Sequence, residues 1–155
     1  MNRTRPALLA TLFTAGVACT NRSLTVKHIN PAVLHKPNGY THVVEATGGR
    51  TLYISGQVAL DPSGALVGVG DLSAQTRQVF QNMQVALAAS GATFAHVVKI
   101  TIFLTDVSQI QAFRDVRDSV FTGPLPASTL VQVVRLARPD FLIEVEAVAV
   151  VESAS

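Results

Sequence analysis

The groups best placed for chemistry are two carboxylates, Glu144 and Glu146, in the run Leu142-Ile143-Glu144-Val145-Glu146-Ala147-Val148-Ala149-Val150. A second run, Pro126 to Leu136, carries the hydroxyl of Ser128 and the amide of Gln132. Both runs are rich in apolar and β-branched residues and read as strands. Alternation puts Ser128, Leu130 and Gln132 on one side of the first, and Leu142, Glu144, Glu146 and Val148 on one side of the second. A carboxylate on an oily strand must be paired, solvated or functional once it is buried. Buried without a guanidinium beside it, Glu144 favours its neutral form and can act as general acid or base near neutral pH. The alternative is a glutamate hydrogen-bonded to its surroundings, with no chemistry.

Other chemistries find less support. The single cysteine, Cys19, allows no disulfide framework or thiolate cluster within one chain. His28, His35, His42 and His96 lack pairwise zinc spacing and are expected on scattered elements, so no metal is predicted. The net charge of +2, without a Lys/Arg run or aromatic platform, argues against nucleic acid. Arg114 and Asp118 have the spacing of an i,i+4 ion pair on an outer helix face, worth about 0.2–0.5 kcal/mol.

The elements that must position these groups can be taken in order. At 155 residues the chain is one domain's worth, and 14% charged residues is low enough to suggest a surface covered by self-association. Val26 to Ile29 is a strand candidate ended by Asn30-Pro31, and Lys36-Pro37-Asn38-Gly39-Tyr40 is a loop. His42–Ala46 and Thr51–Ile54 flank Thr47-Gly48-Gly49-Arg50, which reads as a hairpin turn. A helix is expected from Leu72 to Ser90, with Phe80, Met83 and Leu87 on its apolar stripe, Asp71 as N-cap and Gly91 as terminator. Val97–Leu104 is a central strand; a second helix runs from Ser108 to Phe121 with Ile110, Phe113, Val116 and Val120 inward. The expected order is β-β-β-α-β-α-β-β, an α+β layer with two helices on one face of a six-stranded mixed sheet. The other face, apolar and uncovered, would be hidden by subunits packing sheet to sheet in a closed ring.

Residues 1–25 are read as an extension, 26–152 as the domain and 153–155 as a tail. Met1 to Arg5 is basic, Ala7 to Ala18 mostly apolar, and small residues surround Cys19. That layout fits a secretory signal over residues 1–19, which would make the protein periplasmic or exported, and the apolar run is too short to span a bilayer. A mis-assigned start, with the chain beginning near Leu24 and staying cytoplasmic, is the competing reading.

Several motifs together carry a resemblance. Tyr40, Ser55-Gly56-Gln57, Asp61-Pro62-Ser63-Gly64, Gln75-Thr76-Arg77-Gln78, Gly91-Ala92, Val97-Val98-Lys99-Ile100-Thr101, Pro126-Ala127-Ser128-Thr129 and Ile143–Ala149 follow the order and spacing of the Rid family, over residues 26 to 151. These are the YjgF-like proteins, or reactive-intermediate (2-iminobutanoate/2-iminopropanoate) deaminases. The resemblance implies a fold similar to bacterial chorismate mutase and a homotrimer whose sheets pack into a barrel, with ligand clefts between neighbouring subunits. It also implies a hydrolase that removes damaging imine and enamine metabolites, left by pyridoxal-phosphate enzymes, without metal or cofactor.

Carried onto this chain, the family's cleft tyrosine falls on Tyr40, its Ser-Gly turn on Ser55-Gly56, and its water-positioning glutamate on Glu144. Tyr40 is either a cleft wall or a hydrogen-bond donor. The arginine that clamps the substrate carboxylate is replaced by Ser128, Leu130 stands where many members have cysteine, and Arg114 where asparagine is frequent. This resembles the Rid subfamilies that lack the arginine. A guanidinium–carboxylate fork has two charge-assisted bonds of about 1.5–3 kcal/mol each, so its loss could cost two or more orders of magnitude on a 2-imino acid. Serine donates one neutral bond, which suits a neutral or smaller ligand. Arg114 is read as a solvated helix-face residue, with a second reading as a substitute cation. The leading expectation is a Rid-like imine or enamine deaminase of altered specificity. The alternative is a non-catalytic trimer binding a small metabolite or partner in the same clefts.

Overall fold

In the computed structural model, residues 23–153 are described, and the expectations for the N-terminal segment fall outside them. Six strands and two helices follow the expected order: β1 (Thr25–Ile29), β2 (Val43–Thr47), β3 (Arg50–Gln57), α1 (Leu72–Ala88), β4 (Val97–Leu104), α2 (Ile110–Val120), β5 (Ala127–Gln132) and β6 (Ile143–Val151). The α+β class with a mixed sheet and two helices stands.

The six strands divide between two sheets rather than forming one. β3-β6-β4-β5 make a four-stranded sheet, and β1-β2 a separate antiparallel ribbon. The expected hairpin through Thr47–Arg50 is therefore not formed. Gly48 and Gly49 both take positive φ, 78° and 70°, and carry the chain from the ribbon into the larger sheet. A Gly-Gly turn shows only that the chain bends there; β2 satisfies its backbone on β1 instead. β4 is interior, antiparallel to β6 and parallel to β5, so β5 and β6 never touch edge to edge.

Helix α1 begins where Asp71 accepts a hydrogen bond from the Ala74 amide at 3.0 Å. It ends where Gly91, at φ 72°, lets its own N–H reach the Ala88 carbonyl and the Ala92 N–H reach that of Leu87. The inward stripe, Leu72, Val79, Phe80, Met83 and Leu87, packs on one sheet face with Phe113 and Val116 of α2. That face supplies Ile54, Ile100, Ile102, Leu104, Ile143, Val145 and Ala147, all buried. No helix of the described chain covers the alternate residues, Tyr53, Lys99, Thr101, Glu144 and Glu146.

α1 also carries polar side chains that tie down the segments bearing candidate site residues. The fully buried Gln75 donates to the carbonyls of Gly68 and Asp140 and accepts from the Leu142 N–H at 2.8 Å, two residues before Glu144. Asn82 donates to the carbonyls of Val58 and Leu60, just beyond Ser55-Gly56.

Candidate functional site

Glu144 alternates with the buried Ile143 and Val145, and it pairs with Phe103 across β4. Its carboxyl therefore projects from the sheet face away from the helices, half-buried. β3 reaches the same place through a bulge. Ile54 pairs with Ala147 but Gln57 with Val145, so three steps on β3 oppose two on β6 and the extra residue falls within Ser55-Gly56. The Gly56 α-carbon lies directly beneath the Glu144 carboxyl, and a Cβ at that position would overlap Oε1. A side chain at this position would have to displace the Glu144 carboxyl from its present seat, and the backbone conformation itself does not call for glycine. Glu146, next on the same face, is exposed and lines a depression of about 410 Å³ with Tyr53, Ser55, Lys99 and Thr101. Burial pulls the Lys99 ammonium below its ordinary value, the charge of Glu146 opposes that, and Lys99 donates to Thr129 Oγ1 at 2.7 Å. Glu146 is thus an exposed carboxylate that acts on Lys99 through its charge, without a direct bond to it.

Tyr40, Ser128, Leu130 and Arg114 come together elsewhere. Ser128 pairs with Ile100 and Leu130 with Ile102, both core residues, so these side chains point to the helix side of β5. Tyr40 is brought to them by its neighbour: buried Thr41 bridges to Ala127, its N–H donating to the Pro126 carbonyl and its hydroxyl to that of Leu125. With Asn38, Ile110, Phe113, Arg114 and Arg117 these side chains line a cavity of about 200 Å³ between α2 and the edge strand.

Three expectations change here. Arg114 is half-buried in the cavity wall rather than wholly solvated, and Asp118 is bonded by Arg117, at 2.8 Å from Nε and 2.7 Å from Nη2, instead of by Arg114. Arg117 is buried, a position that follows from the helix period, since 113, 116, 117 and 120 form one i, i+3, i+4, i+7 stripe. Its type hid it: an arginine on an apolar stripe reads as an outward residue. The histidines are not all scattered. His35 Nε2 lies 2.7 Å from the Tyr40 hydroxyl, and His42 packs edge-on to both rings at 5.1 and 5.2 Å. His96, in contrast, closes a 3₁₀ turn by accepting from the Thr93 N–H. Among the described residues, no three His, Cys, Asp or Glu side chains group as metal ligands, and no helix is long and apolar enough to cross a membrane.

The residues singled out in the sequence therefore fall into two groups. Tyr40, Arg114, Ser128 and Leu130 gather on the helix side of the sheet, and Ser55, Gly56 and Glu144 on its uncovered side. An α+β domain with a polar cavity at an edge strand and a carboxyl beside a Ser-Gly bulge is the class that fold and residues define. The sequence profile of the family described as Endoribonuclease L-PSP matches residues 32–151. The chain belongs to this family, the Rid or YjgF-like proteins. Protein DfrA of Myxococcus xanthus is 40% identical over 111 residues, covering 72% of this chain and 84% of its own. The 2-iminobutanoate/2-iminopropanoate deaminase of Mus musculus is 39% identical over 101 residues, 65% of this chain and 74% of its own. Among solved structures, the Rid-family protein YyfB of Yersinia pestis superposes with a TM-score of 0.76 at 38% identity, covering 81% of this chain and 98% of that one.

Proposed function

We propose that the protein is a Rid-like hydrolase acting on small imine, enamine or related C–N metabolites, in clefts completed between the subunits of a homotrimer. The observation that carries this reading is the division of the site residues between opposite faces of one sheet. A single chain holds the ligand-sized cavity and the carboxyl apart, whereas in a closed ring a neighbouring copy can bring its uncovered face, and with it its Glu144, against the first chain's edge strand β5 and the cavity there. Relatives named as imine deaminases support the reaction class.

In that reaction Glu144 acts as general base toward water, whose oxygen bonds to the imine carbon while the imine nitrogen takes a proton. The resulting carbinolamine expels ammonia as its hydroxyl proton leaves, and a carbonyl compound remains. Gly56 keeps the space against which the carboxyl is seated, and Tyr40 and Ser128 offer hydroxyls to the ligand. Ser128, in place of the family's clamp arginine, moves the specificity away from that of the arginine-bearing deaminases. A nucleolytic activity, suggested by the family description, draws no support from a net charge of +2 without a basic run.

The test is hydrolysis of 2-iminobutanoate and 2-aminoacrylate, generated in situ, by the purified protein, Glu144→Gln and Ser128→Arg. Turnover that falls about 100-fold or more in Glu144→Gln supports the reading, on the scale of general acid–base catalysis. Unchanged turnover in Glu144→Gln removes Glu144 from the mechanism. Inactivity that Ser128→Arg rescues means an intact cleft tuned to a different ligand. Inactivity in all three favours the alternative, a trimer that binds a metabolite or partner without converting it.

A further inference from the structure

We infer that His35 is the proton-exchange partner of Tyr40, and that the proton taken by the imine nitrogen reaches it from His35 through the Tyr40 hydroxyl. This rests on the hydrolase reading above, in which Glu144 is engaged with water and the nitrogen needs a proton from another direction. The polar side chains of the cavity are Asn38, Tyr40, Arg114, Arg117 and Ser128. Neither an amide nor a guanidinium gives up a proton near neutral pH. A hydroxyl does so only where a second group refills it, as in a proton relay.

Tyr40 has such a partner. Its hydroxyl lies 2.7 Å from His35 Nε2, the ordinary length for a hydroxyl donor and the short limit for a ring N–H, and an imidazole nitrogen can take either role. Tyr40 is half-buried on the cavity wall and His35 is exposed, so the pair runs from the ligand's place to solvent. His42 is not the exchanging ring. Its Nε2 donates to the His35 carbonyl at 2.9 Å, an acceptor that fixes the proton there. Instead it braces the pair, edge-on to both rings, while its backbone N–H donates to Asn30 Oδ1 at 2.9 Å. On the other side, a Cβ on Gly39 would stand 2.5 Å from both Nη atoms of Arg117, and Gly39 has φ 80°, so the loop is shaped around that α2 side chain. The charged and titratable groups around the pair are His42 and the exposed Lys36 of the loop, and Arg114 and Arg117 of α2, the latter bonded to Asp118. Among the described residues no carboxylate lies within 4.0 Å of His35.

In the step, protonated His35 gives its Nε2 proton to the Tyr40 oxygen as the Tyr40 O–H proton passes to the imine nitrogen. The ring is left neutral, the tyrosine unchanged and the nitrogen protonated; solvent then returns a proton to the exposed ring. His35 acts only through Tyr40, as a positioning and relay residue.

The experiment measures kcat and KM for 2-iminobutanoate, generated in situ, across pH with the full chain. His35→Ala keeps the carbonyl that His42 uses. It should lower kcat about tenfold or more, leave KM within about twofold, and lack the decline toward alkaline pH that the wild type shows as the ring loses its proton. Added imidazole should restore kcat. In a Tyr40→Phe background His35→Ala should cost nothing further. His28→Ala, exposed on β1, should stay within about twofold of wild type. The chain has two tyrosines and no tryptophan, so Tyr53→Phe leaves Tyr40 as the sole tyrosine, and its absorption should change on acidification in a step that His35→Ala abolishes. Wild-type kcat in His35→Ala overturns the inference and leaves the hydrolase standing. A loss that imidazole does not restore, with an unaltered pH profile, assigns His35 to the fold and overturns it too. No turnover in the wild type sinks the hydrolase, and the absorption step then decides: present, it keeps the exchange between the two side chains; absent, it overturns it.

Discussion

The two faces of the four-stranded sheet are built from the same strands, yet they do opposite things. On the helix side, Ile100, Ile102, Leu104, Ile143 and Val145 are at most 1% exposed and lie under α1 and α2. On the other side the alternate residues include Lys99, Glu144, Glu146 and Tyr53, the last 83% exposed. The period of two thus separates a packed face from an uncovered one, and a substitution one residue along a strand should change the kind of effect, not only its size. The cavity at Ser128 is the exception that clarifies the rule. It lies on the helix side, but at the edge strand, where α2 leaves space that arginines line.

The largest effect should come from breaking the covered face. Ile102→Ala is expected to cost about 2–5 kcal/mol of folding stability, measured by denaturant unfolding. Tyr53→Ala, on the other face of the same sheet, should change the stability of the separated chain by no more than about 0.5 kcal/mol. Its effect should appear in the assembly of the proposed homotrimer instead, as a shift from trimer toward monomer in sedimentation. A large loss of chain stability in Tyr53→Ala contradicts the division between faces.

That division was partly legible in the sequence. Alternation in the run Leu142–Val150, the strand at Val97–Leu104, the Asp71 cap and the Gly91 stop all reflect local rules, and each appears where those rules put it. Strand partnership is not local. Whether β2 pairs with β3 or with β1 depends on contacts that the Thr47–Arg50 turn does not encode, and the hairpin expectation failed there. The same limit hid the site's geometry. Ser128 and Glu144 each sit on a well-defined strand face, but only the insertion of β4 between β5 and β6 shows that those faces are opposite. Arg117 was legible by period and masked by type, and the His35–Tyr40 contact depends on the path of a loop without periodicity.

A smaller effect on the fold, but a large one on activity, is expected at Gly56. Gly56→Ala puts a methyl where the Glu144 carboxyl lies, so imine turnover should fall at least about tenfold while unfolding remains cooperative. Turnover unchanged in Gly56→Ala would mean that the carboxyl's seat is irrelevant. The smallest effect is set by a carboxylate in the turn that follows β3. Hydrogen bonds from the Ser63 side chain and the Ala65 backbone hold Asp61 below its ordinary value of 3.8. Its contribution is therefore fully present above pH 3.8 and is lost as pH falls through the lower folded value. Asp61→Ala should flatten that acid limb slightly in stability-against-pH curves and leave turnover untouched; a change in turnover would show that the turn communicates with the site.

The most direct test of the account is subunit mixing. Glu144→Gln removes the carboxyl, and Ser128→Phe fills the cavity. Each variant alone should be inactive toward imines. Refolded together in equal amounts, they should recover about a quarter of wild-type activity, because a shared site is intact only where two unimpaired halves meet around the ring. Mixed trimers that form but remain inactive would contradict the account, because each site would then lie within a single chain.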